Sequence, residues 1–178
     1  MNLAALLFDV ARRQPEAPAI SDSVHAWSYR EFARRISCLA GGLAARGLKP
    51  GDRVMLCMEN CAEILKLLFA CWTAGLCAVP VNARLHVREV EHIARDCRAR
   101  LLVATPNLAE RLAPLDRSVE PLSPIISTRN SDYTALLERG PPCVRSILPR
   151  QTEHGCFTRT GQPAGRKGRC LATATCFL

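Results

Sequence analysis

The sequence predicts an α/β fold whose core is a short parallel sheet flanked by helices. Arg53–Met58, Cys77–Val81 and Leu101–Ala104 are short, continuous apolar runs, the pattern of strands buried on both faces. Between them lie segments with helical spacing of apolar residues, from Asn60 to Gly75 and from about Arg88 to Cys97. Strand, helix, strand, helix, strand with short joins implies right-handed crossovers and a parallel sheet covered by helices. With 178 residues, 48% hydrophobic and 22% charged, the chain is globular in class and long enough for one domain with its own core.

The elements follow in order. Leu3, Leu6, Leu7 and Val10 recur at three- and four-residue steps, so the chain opens with a helix that ends before Pro15. Ala19-Ile20 and Val24-His25-Ala26-Trp27 are two short strands around the polar turn Ser21-Asp22-Ser23. Ser28 and Glu31 have capping-box spacing, each side chain placed to bond the other's amide. Phe32, Ile36, Leu39, Ala40 and Leu43 then share one helical face, and Gly47 stands where a left-handed residue ends the helix. After the first apolar strand, Asn60 is placed to cap the next helix with Glu63 three residues on; Ile64, Leu67, Leu68 and Cys71 form its inner face up to Gly75. Trp27 and Trp72 are expected at helix–sheet contacts.

Charge and cysteine content exclude several classes. Residues 143 to 178 hold six Lys/Arg against one Glu, so +5 of the net +8 sits in the tail and the rest is nearly balanced. The tail lacks a nucleic-acid module and has only Phe157 and Phe177 for base stacking, so no nucleic-acid partner is expected. Cys38, Cys57, Cys61, Cys71, Cys77 and Cys97 lie in apolar runs, where free Cys behaves as a small buried hydrophobe. Cys143, Cys156, Cys170 and Cys176 crowd the tail without C-x-x-C spacing, and His154 is the imidazole nearest them, so no metal site is expected. Met1 to Val10 has no basic segment ahead of its apolar residues and contains Asp9, unlike a signal peptide. No apolar run reaches membrane-spanning length, and a cytoplasmic protein with reduced thiols is expected.

The segments Pro18-Ala19-Ile20, Ser28-Tyr29-Arg30-Glu31-Phe32, Gly47-Leu48-Lys49-Pro50-Gly51-Asp52-Arg53-Val54, Glu59-Asn60, Ala74-Gly75 and Val79-Pro80-Val81-Asn82-Ala83-Arg84-Leu85 occur in one order. That combination resembles the N-terminal subdomain of AMP-forming acyl-CoA synthetases, in the adenylate-forming superfamily, from about Leu3 to Gly140. His86 departs from the resemblance: the family usually has a small capping residue before the helix containing Glu89, so a weaker helix start is expected. The resemblance implies activation of a carboxylic acid with Mg-ATP to an acyl-adenylate, release of pyrophosphate, and acyl transfer to the thiol of coenzyme A. In the family, the phosphate loop, the acidic residues on metal and ribose, and the mobile lysine all lie downstream of the matched region. No catalytic, cofactor-binding or metal residue is therefore assigned between Met1 and Gly140, and ATP, Mg, coenzyme A and the carboxylic acid are implied only for an intact parent.

The resemblance places a phosphate loop near residue 158, reading aromatic-Thr-Ser-Gly-Thr-Thr-Gly-x-Pro-Lys-Gly. The chain instead has Phe157-Thr158-Arg159-Thr160-Gly161-Gln162-Pro163-Ala164-Gly165-Arg166-Lys167-Gly168. Taken directly, this is a degraded loop in which Gly165 to Gly168 could cradle an anion, but neither a preceding strand nor a following helix is evident. A shift of reading frame explains more. Taking the third base of each codon with the first two of the next, permitted codons from Pro149 onward yield Ala-Pro-Ala-Asp-Arg-Ala-Trp-Leu-Phe-Tyr-Thr-x-Gly-Thr-Thr-Gly-Arg-Pro-Lys-Gly-Ala-Met-Leu-Ser-His-Arg-Asn-Leu. The expectation is a truncated synthetase subdomain over residues 1–142, then an irregular, basic, Cys-rich tail over 143–178 that is out of frame from between about Gly140 and Pro149.

Nothing else in the sequence forms a constellation. His25, His86, His92 and His154 are scattered, and the pairs Glu89/Glu91 and Asp9/Glu16 read as solvated helix faces. Two functional readings follow. One is an inactive fragment of an acyl-CoA ligase whose exposed apolar surface favours self-association. The alternative is a small non-catalytic interaction module that binds a partner through an open edge of its three-stranded sheet.

Overall fold

The computed structural model describes residues 3–22, 25–119, 122 and 125–139. Helix α1 (Leu3–Arg13) leads into an antiparallel hairpin of β1 (Pro18–Ser21) and β2 (Ala26–Ser28). Helix α2 (Tyr29–Ala45) then precedes an α/β unit of β3 (Arg53–Met58), α3 (Ala62–Ala74), β4 (Cys77–Asn82), α4 (Val87–Asp96) and β5 (Leu101–Ala104). Helices α5 (Pro106–Leu112) and α6 (Leu115–Ser118), strand β6 (Ile126–Ser127) and helix α7 (Ser131–Arg139) complete the described chain. The main sheet is parallel, in the order β4-β3-β5-β6. It has four strands where the sequence reading expected three, because β6, only two residues long, carries too little pattern to be seen.

Strand β3 occupies the interior of the sheet, and its side chains alternate between two cores. Val54, Leu56 and Met58 join Leu101, Val103 and Ile126 under α2, α3 and α7. Met55 and Cys57 join Leu102 and Ala104 under α4, α5 and α6. This period of two is the pleat of a strand covered on both faces. Its near-complete burial is what makes the run apolar throughout.

The helix ends show where local reading succeeded and where it did not. Ser28 accepts from the Glu31 amide at 3.3 Å, as expected, but Glu31 does not complete the box. Its carboxylate turns to Arg34 and Arg35, and the hydrogen bond from Arg34 holds its pKa below the usual range. Gly47 has φ 84°, the left-handed position expected of it. At α3 the N-cap is Cys61 rather than Asn60, and no side chain caps that end. His86 corrects a second expectation: its Nδ1 accepts from the Arg88 amide at 3.3 Å while Glu89 Oε2 accepts from the His86 amide at 2.8 Å. The imidazole thus performs the capping that a small polar residue would, and α4 starts with a full capping box.

Trp27 is buried between α2 and α3, with Phe32 stacked at 6.4 Å between ring centroids. Trp72 is instead half-buried on the outer side of α3, edge-on to Phe69, beside an apolar groove against α1. The inner face of α3 also differs from expectation, because Lys66 is buried there at 2% exposure. The tail over 143–178, including the degraded loop at Gly165 to Gly168 and the four tail cysteines, lies outside the described residues.

Candidate functional site

The topology selects one place on the sheet for a ligand. From β3 the chain crosses through α3 to β4 on one side; from β4 it returns through α4 to β5 on the other side of β3. Connections that diverge from neighbouring strands leave a crevice at the strands' carboxyl ends, where open α/β sheets bind ligands. Here that crevice is formed by Glu59 and Asn60 after β3 and Thr105 after β5, flanked by Asn82 at the end of β4.

Thr105 and Glu59 bridge the crevice, the threonine hydroxyl donating to Glu59 Oε2. Asn82 accepts from the Arg84 amide at 2.9 Å, which turns the chain after β4. The Arg111 guanidinium donates to the carbonyls of Ala83 at 2.8 Å and Leu85 at 3.2 Å, pinning that turn from α5. Glu59, Thr105, Asn82 and Arg111 are thus already committed to the local fold. Glu59 and Thr105 each follow an apolar strand recognisable in the sequence, but their juxtaposition needs β5 to lie beside β3, an order that the sequence analysis did not give.

The same geometry limits the chemistry. Burial pushes the Cys57 thiol above its usual pKa. Cys61, at the N-terminus of α3, is also raised: burial outweighs the stabilising amides of Ile64 and Glu63. Neither thiol has the depressed pKa that marks a nucleophile. The described histidines lie apart: His25 beside Asp22 and Trp27, His86 at a helix cap, and His92 exposed on α4. The acidic pairs are structural. Glu89 caps α4, Glu91 pairs with Arg95, Asp9 with Arg12 and Arg13, and Glu16 with Arg30.

Among the described residues no group of three or more His, Cys, Asp or Glu is placed to hold a metal ion. The crevice carries no lysine or Gly-rich turn for a triphosphate. These residues therefore do not by themselves fit Mg or ATP, and no chemical step is derived through either.

Comparison with known proteins now bears on the site. Residues 7–152 match the family model of the AMP-binding enzymes. The feruloyl-CoA synthase of an Amycolatopsis species is 44% identical over 105 residues, covering 59% of this chain and 21% of that protein. Enterobactin synthase component F of Shigella flexneri is 29% identical over 167 residues, covering 92% of this chain and 12% of that protein. A long-chain-fatty-acid-CoA ligase from Archaeoglobus fulgidus shares the fold with a TM-score of 0.74 at 22% identity, over 80% of this chain and 31% of that one. The chain spans about a fifth of the length of the feruloyl-CoA synthases it matches. No described helix is long and apolar enough to cross a membrane.

Proposed function

Because the chain belongs to the AMP-binding enzyme family, we propose that it is the N-terminal portion of an AMP-forming acyl-CoA ligase and that, as written, it is catalytically silent. In the intact ligase the carboxylate of an acid attacks the α-phosphate of ATP and expels pyrophosphate; the coenzyme A thiol then attacks the acyl carbonyl and expels AMP. The reading is carried by one observation. The family match ends at residue 152, short of the position near Thr158 where the resemblance places the phosphate loop. A shift of frame near Pro149, at the late end of the stretch from about Gly140, accounts for that ending, and the crevice of Glu59, Asn60 and Thr105 supplies no substitute for the loop. The protein is assigned to the cytoplasm, without a nucleic-acid partner.

A second reading is favoured by the likeness to enterobactin synthase component F, which takes in 92% of this chain and so extends into the tail. In that reading Gly165 to Gly168 are a degraded loop that retains weak phosphate affinity. ATP–pyrophosphate exchange separates the two when run on the chain as written and on a version whose frame is restored. Over a panel of fatty and aromatic acids, the frame-restored version should exchange and the chain as written should not. Exchange above blank by the chain as written contradicts the silent-fragment reading, and exchange by neither version contradicts the ligase assignment.

A further inference from the structure

Lys66 is the one buried charged side chain among the described residues, and the side chains around it come from four elements. Its Nζ lies 3.0 Å from Glu63 Oε1 on the preceding turn of α3. The same ammonium sits 4.8 Å from the Trp27 ring centroid of β2 and 5.8 Å from the Tyr133 ring centroid of α7. Arg35 of α2 covers Trp27 at 4.9 Å, so two cations share that indole. Tyr133 is itself buried, and its hydroxyl has no hydrogen-bond partner among the described residues.

Burying an ammonium costs free energy that one carboxylate at 20% side-chain exposure offsets only in part. An apolar residue would fill this position of α3 at less cost, so the charge is poorly explained by stability. The arrangement gives something an apolar residue would not: a directional attraction between α3 and two aromatic rings on separate elements. We propose that Lys66 is a conformational latch. It clamps Tyr133, and with it α7, against α3 and the β1–β2 hairpin. This device is independent of whether the chain has ligase activity.

Native-state hydrogen exchange on the full-length chain tests it, comparing peptides of α7 with peptides of β3 and β5. Lys66→Met keeps length and apolar packing but removes the charge. It should accelerate exchange in α7 about two- to thirtyfold relative to the sheet, the range of a cation–π contact at partly to fully desolvated sites. Tyr133→Leu, which removes the ring, should give a similar acceleration, whereas Tyr133→Phe, which keeps the ring and deletes an unpartnered hydroxyl, should leave α7 as protected as before or more so. The double variant Lys66→Met/Tyr133→Leu should accelerate less than the product of the two single effects. Unchanged or slower α7 exchange in Lys66→Met, with the sheet intact, overturns the latch. Should Lys66→Met fail to fold, equal exchange in Tyr133→Phe and Tyr133→Leu overturns it from the other side of the contact.

Discussion

Gly42 of α2 and Leu136 of α7 meet backbone to backbone: a Cβ placed on Gly42 would lie 2.9 Å from the Leu136 Cα. Helices approach this closely only where one of them lacks a side chain. In an isolated helix Gly42→Ala would stabilise by about 1 kcal/mol through propensity. Here the methyl group meets main chain, which cannot rotate away, so α7 must shift. The variant should lose about 1–3 kcal/mol in urea denaturation, the usual range for overpacking. A gain in stability would show that α7 does not pack as described.

Arg98 predicts the opposite sign. It is the described non-glycine residue with positive φ, at 50°, just beyond α4. Its carbonyl and that of Cys97 accept from the Arg53 guanidinium at 3.1 and 2.6 Å, contacts that need only its main chain. Arg98→Gly removes the crowding of a Cβ in left-handed backbone and keeps both hydrogen bonds, so stability should rise by up to about 1 kcal/mol. Arg98→Val should lower it, because a branched side chain fits that backbone poorly. Thermal melts of the two variants should therefore bracket the parent, and a lower melting temperature for the glycine variant would contradict the account.

Cys71 sets a limit at alkaline pH. Burial, with a smaller contribution from Cys77, pushes its thiol from 9.0 up to about 12. A raised folded pKa means the folded state holds the proton more tightly than the unfolded state. The stabilisation is whole below pH 9 and declines as pH rises towards 12, at about 1.4 kcal/mol per pH unit. Urea midpoints should fall from pH 8 to 11, with Cys57, Cys61 and Cys97, also raised by burial, adding to the decline, and Cys71→Ala should make the fall shallower. An equal slope in Cys71→Ala would remove the thiol as the cause.

Leu3, Leu6 and Leu65 are exposed at 43%, 47% and 42%, and they border the groove between α1 and α3 with Leu68, Phe69 and Trp72. Exposed apolar surface of this kind drives association. The chain should elute from size-exclusion columns as a concentration-dependent mixture, and Leu6→Ser combined with Leu65→Gln should shift it towards monomer. Insensitivity of the elution volume to both changes would point to the sheet edge instead.

The fold was legible where a single physical signal dominated. The apolar runs of β3 and β5 and the stripe of α2 follow from burial. By contrast β4, expected to be buried on both faces, is an edge strand with Pro80 exposed, and in α1 Ala4 is buried while Leu3 and Leu6 of the expected stripe are exposed. Three further misses have physical causes. β6 is too short for its pattern to show. At α3 the capping position fell on Cys61 because Asn60 lies one residue outside the helix. Lys66 was unreadable because a lysine on an inner face is recognised only when its aromatic partners, distant in sequence, are seen around it. Helix α7 did carry a signal that went unused: Asn130 Oδ1 accepts from the Tyr133 amide at 2.9 Å, an N-cap ahead of the spaced Tyr133, Leu136 and Leu137. The crevice could be located from strand order once the sheet was known, but the hydrogen bonds that occupy Glu59, Thr105 and Asn82 are contacts that the sequence does not reveal by itself.

The most direct test is the nucleotide sequence of the locus across codons 140 to 178 and beyond. The account predicts that one shifted frame runs on without interruption through Tyr-Thr-x-Gly-Thr-Thr-Gly-Arg-Pro-Lys-Gly into further family sequence. If the codons actually used do not spell that loop in either alternative frame, the tail is not an out-of-frame phosphate loop and the proposal fails.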